Sequence, residues 1–207
     1  ATLESEMGAA VAGGVTSFAC PPDTDPPLDE PGLVEMLKHR AKSLNQAHVY
    51  PIGALTQGLR GERLTEMAEL NDAGCVVFGQ PDGLLPNLRV LMQAMHYAST
   101  FDFSVWLRPQ EISLTNDGVA HDGEVATRLG LPTVPVCAET IALSNIILLA
   151  KETGVRVHLC RISSAEGLAM IRVAKQQGLP LTCDVTINHM HLSDMDIGFF
   201  DSNCHLM

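Results

Sequence analysis

The run Val157-His158-Leu159-Cys160-Arg161-Ile162-Ser163-Ser164-Ala165-Glu166 reads as an apolar strand that ends, turns and opens a helix, and it delivers an arginine to the strand's end. Where strands and helices alternate, the carboxyl ends of the strands form the mouth in which ligands are bound, so Arg161 stands where chemistry would be done. A guanidinium has five donors, no free electron pair and a permanent charge, so it can hold an anion but cannot ligate a metal. Taken alone, Arg161 is equally the solvated or salt-bridged arginine that commonly follows a strand. A second such end is Phe103-Ser104-Val105-Trp106-Leu107-Arg108-Pro109, which offers an indole, a donor only, and another guanidinium. Trp106 also suits simple packing in a mouth or an interface.

Other groups imitate a site. His189-Met190-His191 has the spacing of a metal pair, because alternate residues of a strand share a face. The competing reading puts Asn188 and His189 in a loop, hydrogen-bonding to backbone. His158 lies in mid-strand, out of phase with Arg161, and reads as a satisfied core histidine. In Cys20-Pro21-Pro22-Asp23-Thr24-Asp25-Pro26-Pro27, the two aspartates either shape a turn or present acceptor-only carboxylates to a pocket. No Ser-His-Asp arrangement, phosphate loop or dinucleotide motif is present, and Gly13, Gly14, Gly58 and Gly61 punctuate turns and helix ends.

These residues need a scaffold. Strands are predicted at residues 15–19, 48–52, 75–78, 103–107, 155–160 and 181–185. Helices are predicted at 2–12, 31–46, 62–72, 86–99, 139–153 and 165–177, with Gly154 and Gly178 closing the last two. Alternation of this kind predicts parallel strands with crossover helices, either doubly wound or closed as a barrel. The 109–137 connection is rich in Pro, Gly and Asp, contains one short helical pattern near 122–129, and has a length that usually marks function or insertion.

Composition narrows the function classes. The 207 residues are 46% hydrophobic and 18% charged, which suits one globular domain, and no apolar run is long enough to span a bilayer. Thirteen basic residues against 24 acidic ones give a net charge of −11, which repels phosphate backbones and anionic lipid. No nucleic acid and no membrane are therefore expected as partners. Glu4 and Glu6, with no basic leader, argue against a signal or transit peptide, so a cytoplasmic location is expected. The six cysteines are scattered without a C-x-x-C pair and read as small buried hydrophobes in a reducing compartment.

Taken together, the motifs resemble those of the dihydroorotase family of the amidohydrolase superfamily. Residues 157–166 resemble the strand end where the family has a metal-binding histidine at the place of Arg161. Residues 103–109 resemble V-A-V-H-C-E, with Trp106 for the histidine and Arg108 for the glutamate. Residues 20–27 resemble M-P-N-T-N-P-P, with Asp23 and Asp25 for the two asparagines, one of which helps hold the anionic substrate. Phe78-Gly79-Gln80-Pro81-Asp82-Gly83 resembles F-S-D-D-G, with Gln80 for the metal-bridging aspartate, unless a one-residue shift restores Asp82-Gly83. Lys38, Lys42, Lys151 and Lys175 all fall in helical patterns, so none can be the carboxylated lysine of other classes. Residues 186–192 resemble T-P-H-H-L-L-L, with Asn188 for the first histidine and His189 for the second.

The resemblance implies a (β/α)8 TIM-like barrel of the amidohydrolase type. Residues 1–207 would be the central part of a single barrel domain, covering about six β/α units, with the first strand before Ala1 and the last strands after Met207. It is nearest to the inactive dihydroorotase-like paralogue of pyrimidine biosynthesis, the structural partner of the aspartate carbamoyltransferase catalytic chain in a hetero-oligomer. That reading implies no catalytic residues and no cofactor, and makes Asp23, Asp25, Gln80, Trp106, Arg108 and Arg161 vestigial. The alternative is an active zinc-dependent cyclic amidohydrolase with a non-standard ligand set drawn from an upstream H-x-H pair and Asp82, His189 or His191. A third reading has Arg108 and Arg161 holding a small anion in the vacated mouth.

Overall fold

The computed structural model describes residues 2–80, 85, 87–115 and 117–199. Asp82-Gly83, which would carry the shifted register, lies outside the described residues, as do Asp201-Ser202-Asn203 and Cys204. The chain forms two compact units, the first from residues 2–80 with Asn87–Trp106, the second from residue 107 onward.

In the first unit, α1 (Leu3–Ala12) begins at a capping box in which Thr2 and Ser5 satisfy each other's backbone amides. Then follow β1 (Ser17–Cys20), α2 (Pro31–Leu44), β2 (His48–Ala54), α3 (Met67–Ala73), β3 (Val77–Gln80), α4 (Leu88–Thr100) and β4 (Ser104–Leu107). Pairing is parallel, with Ser17 opposite His48 and Ile52 opposite Val77. Asn87 caps α4 by accepting from the amides of Arg89 and Val90. Phe78, Leu91 and Met95 are fully buried, and Phe78 meets Phe103 with ring centroids 5.1 Å apart. The helix expected from residue 62 begins only at Met67. Thr65 donates its hydroxyl to the Ala54 carbonyl at 2.6 Å, and Thr56 bridges to Leu64, so tertiary bonds hold that stretch extended against its helical pattern.

The second unit contains α5 (Ile112–Thr115), β5 (Ala120–His121), α6 (Glu124–Leu129), β6 (Thr133–Val134), α7 (Val136–Thr153), β7 (Arg156–Leu159), α8 (Ala165–Gln176), β8 (Leu181–Cys183) and α9 (Ile187–His191). β7 and β8 are parallel, with His158 opposite Thr182. The long connection is structured around a two-residue parallel pair of β5 with β6, in addition to the expected helix, α6. Gly154 ends α7 at φ 69°, a left-handed cap that favours glycine.

Three expectations need correction. The last strand stops at Cys183 rather than residue 185, because Asp184 turns its side chain onto the end of β7. The H-x-H pair sits on the short helix α9, where residues two apart are turned by roughly 200° and cannot share a ligand position. His189 is not a loop residue bonded to backbone: its Nδ1 meets the Thr186 hydroxyl at 2.5 Å, and Thr186 caps the helix. Among the described cysteines all five are free thiols, with Cys20 and Cys75 buried as expected but Cys137 exposed in the first turn of α7. Lys38, Lys42, Lys151 and Lys175 all lie in helices. Among the described residues no helix is long and apolar enough to cross a membrane.

Candidate functional site

The end of β7 is fixed by two carboxylates. On one side Asp184 accepts from the Arg161 amide at 2.6 Å and meets His158 Nε2 at 2.9 Å. On the other, Glu139 in the first turn of α7 accepts from the amides of Ser163 and Ser164 at 2.8 and 3.0 Å, and from both hydroxyls at 2.8 and 2.5 Å. Four donors on one buried carboxylate tie the turn to α7, and Ser164 in turn caps α8 by accepting from Gly167 at 2.9 Å. Between these anchors Arg161 has φ 58°, a left-handed conformation that costs a non-glycine residue about 1–2 kcal/mol. The turn is therefore imposed on the arginine by its surroundings.

Above this turn, within the second unit, lies a cleft of about 680 Å³ whose lining includes Arg108, Arg161, His121, Ser163, Asn188 and His189. Both arginines that the sequence reading set in one mouth line this cleft. Chemically the cleft is mixed: Glu139, Glu166 and Asp194 line it beside the two arginines, so its charges of both signs face one another. The first unit places the other predicted positions. Asp23 and Asp25 are exposed in the loop after β1, where Thr24 donates to the Pro26 carbonyl at 2.7 Å, so the turn-shaping reading describes their local structure. Gln80 closes β3 with its amide committed: its oxygen accepts from Thr56 at 3.3 Å and its nitrogen donates to the Leu59 carbonyl at 2.8 Å. Trp106 is half-buried in β4.

A second constellation lies at the ends of β7 and β8. His158 lies in β7 and Cys160 just after it, and Asp184 follows β8, one residue past the paired Leu159 and Cys183. His158 is satisfied, as expected, through Thr182 Oγ1 at 2.8 Å and Asp184, yet its side chain is 18% exposed rather than in the core. Burial pushes the Cys160 thiol up to about 11, with Asp184 adding to the rise and Arg161 opposing it. Sequence reasoning missed Asp184 and Glu139. The signal for Glu139 was faint, an acid in a helix's first turn, and nothing local links it to two serines 24 and 25 residues on.

Comparison with known proteins follows this geometry. The family model described as dihydro-orotase-like matches residues 1–167. The chain belongs to the dihydroorotase-like family. A dihydroorotase-like protein of Pseudomonas putida is 46% identical over 204 residues, covering 99% of this chain and 48% of the relative. One from Pseudomonas aeruginosa is 43% identical with the same coverage, and a dihydroorotase of Syntrophotalea carbinolica is 34% identical over 99% of this chain and 48% of its own. The chain spans about half the length of the curated relatives it matches. The L-hydantoinase of Arthrobacter aurescens superposes with a TM-score of 0.77 at 17% identity, over 95% of this chain and 45% of that one. A D-hydantoinase from a Thermus species gives 0.68 at 16% identity, over 94% and 44%. The fold is therefore the amidohydrolase-type (β/α)8 barrel, of which this chain supplies a part, and the doubly wound alternative is set aside.

Proposed function

We propose that this member of the dihydroorotase-like family is catalytically inactive and serves pyrimidine biosynthesis as the structural partner of aspartate carbamoyltransferase. One observation carries the reading: a guanidinium stands at the end of β7, at the position where the family resemblance places a metal-binding histidine. Hydrolysis of a cyclic amide by a metal-activated water needs several electron-pair donors converging on the ion. Arg161 and Trp106 have none to give, and Gln80 has its amide engaged with Thr56 and Leu59, so these groups do not fit the family's metal. For the active alternative, His189 and His191 point different ways from a helix, so at most one of them joins its ligand set.

The test uses the full-length protein. It should show no hydrolysis of dihydroorotate above background with or without added zinc, and should co-elute with the aspartate carbamoyltransferase catalytic chain on size exclusion. Turnover that follows enzyme concentration would overturn the inactivity, and separate elution at micromolar concentrations would overturn the partnership.

A second reading rests on the two arginines, Arg108 and Arg161, that line one cleft together with Glu139, Glu166 and Asp194: a small dicarboxylate taken by the guanidinium groups in exchange for their present partners. Succinate or carbamoyl-aspartate at millimolar concentration would then raise the melting temperature of wild type by a few degrees and leave Arg161→Ala unmoved. Equal shifts in both proteins, or none in either, would remove it.

A further inference from the structure

We propose that His158, Cys160 and Asp184 form a binding site for one thiophilic divalent cation such as zinc, separate from the strand-end positions at which the family resemblance places its metal. The donor atoms, an imidazole nitrogen, the cysteine sulfur and a carboxylate oxygen, all lie within 4.8 Å of one another. The imidazole and carboxylate atoms are 2.9 Å apart. Tetrahedral zinc with bonds of about 2.0–2.3 Å keeps its ligand atoms about 3.3–3.8 Å apart, so the three need shift by less than about 1 Å to close on an ion.

Their supports are already in place. With Nδ1 hydrogen-bonded to the Thr182 hydroxyl at 2.8 Å, the His158 ring is held so that Nε2 faces the cluster. The Arg161 amide holds the other carboxylate oxygen of Asp184 at 2.6 Å and leaves Oδ2 toward the site. The backbone of Cys160 is pinned by its amide to the Leu107 carbonyl at 2.9 Å. Such outer partners fix ligand orientation before the ion arrives. A nitrogen, sulfur and oxygen set selects zinc, cobalt or cadmium over magnesium or calcium, which prefer oxygen alone. Binding exchanges the thiol proton for the metal and releases that proton to solvent, while the ring proton moves from Nε2 to Nδ1, which then donates to the Thr182 hydroxyl. Three protein ligands leave a fourth position open, and the exposure of His158 and Asp184, 18% and 45% at their side chains, gives an ion a way in.

The experiment titrates cobalt(II) into metal-free full-length protein. One equivalent should produce a thiolate-to-cobalt charge-transfer band that is lost in Cys160→Ser and weakened at least tenfold in apparent affinity in Asp184→Asn. Should the serine variant fail to fold, the wild type supplies its own test by mass spectrometry. Zinc should slow alkylation of Cys160 at least tenfold and leave the exposed Cys137 unchanged. No band in wild type, a band that survives Cys160→Ser, or alkylation of Cys160 indifferent to zinc would each overturn the site. Neither readout measures hydrolysis or assembly with the transferase, so the result stands apart from the proposed function.

Discussion

At the scale of single residues, the thiols carry a pH dependence. Burial pushes Cys75 up to about 12 from its ordinary 9.0, with Lys38 only partly opposing. Between those values the folded chain keeps a proton that the unfolded chain releases. Stability from this group is complete below pH about 9 and is lost as pH rises through about 12. Cys75→Ala should therefore show a shallower loss of stability than wild type between about pH 8 and pH 10.5, read from urea midpoints at each pH. Residue types also mark how far sequence could see. Arg161, Trp106 and Arg108 could be singled out because the motif resemblance sets each against a different residue type at a strand end. Asp184 could not, because an aspartate after a strand is ordinary until the parallel register sets it beside His158.

At the scale of elements, the junction of α7 and α8 is held by a carboxylate rather than by apolar packing alone. A Cβ on Gly167 would lie 2.3 Å from Glu139 Oε1 and 2.9 Å from Leu143, and four hydrogen bonds prevent the carboxylate from yielding. Gly167→Ala should cost about 1–3 kcal/mol although alanine is the better helix former by about 1 kcal/mol. In a Glu139→Ala background the same substitution should cost much less, because its main obstacle is gone; denaturant melts of the four proteins close the cycle. The β/α alternation itself was legible, since period and glycine punctuation are local signals. The start of α3 was not. Thr65 and Leu64 satisfy a helical pattern, and only their bonds to Ala54 and Thr56, made by folding, keep them extended. The two-residue strands β5 and β6 escaped for a different reason, being too short to show a period.

At the scale of the whole molecule, 24 acidic against 13 basic residues set the long-range field. A labelled DNA duplex should show no anisotropy change with the full-length protein even at about 50 mM salt, where cationic contacts are least screened. Barrel closure could not be derived from alternation; it rested on motif resemblance until the hydantoinase superposition supplied it. The Gln80 side chain has a larger bearing. Its amide nitrogen donates to the Leu59 carbonyl and its oxygen accepts from Thr56. An aspartate placed there would be a methylene shorter and would turn a carboxylate toward that carbonyl, leaving an acceptor without its donor. Gln80 thus carries an architectural duty, and an acid at that position would first have to loosen the loop around Leu59.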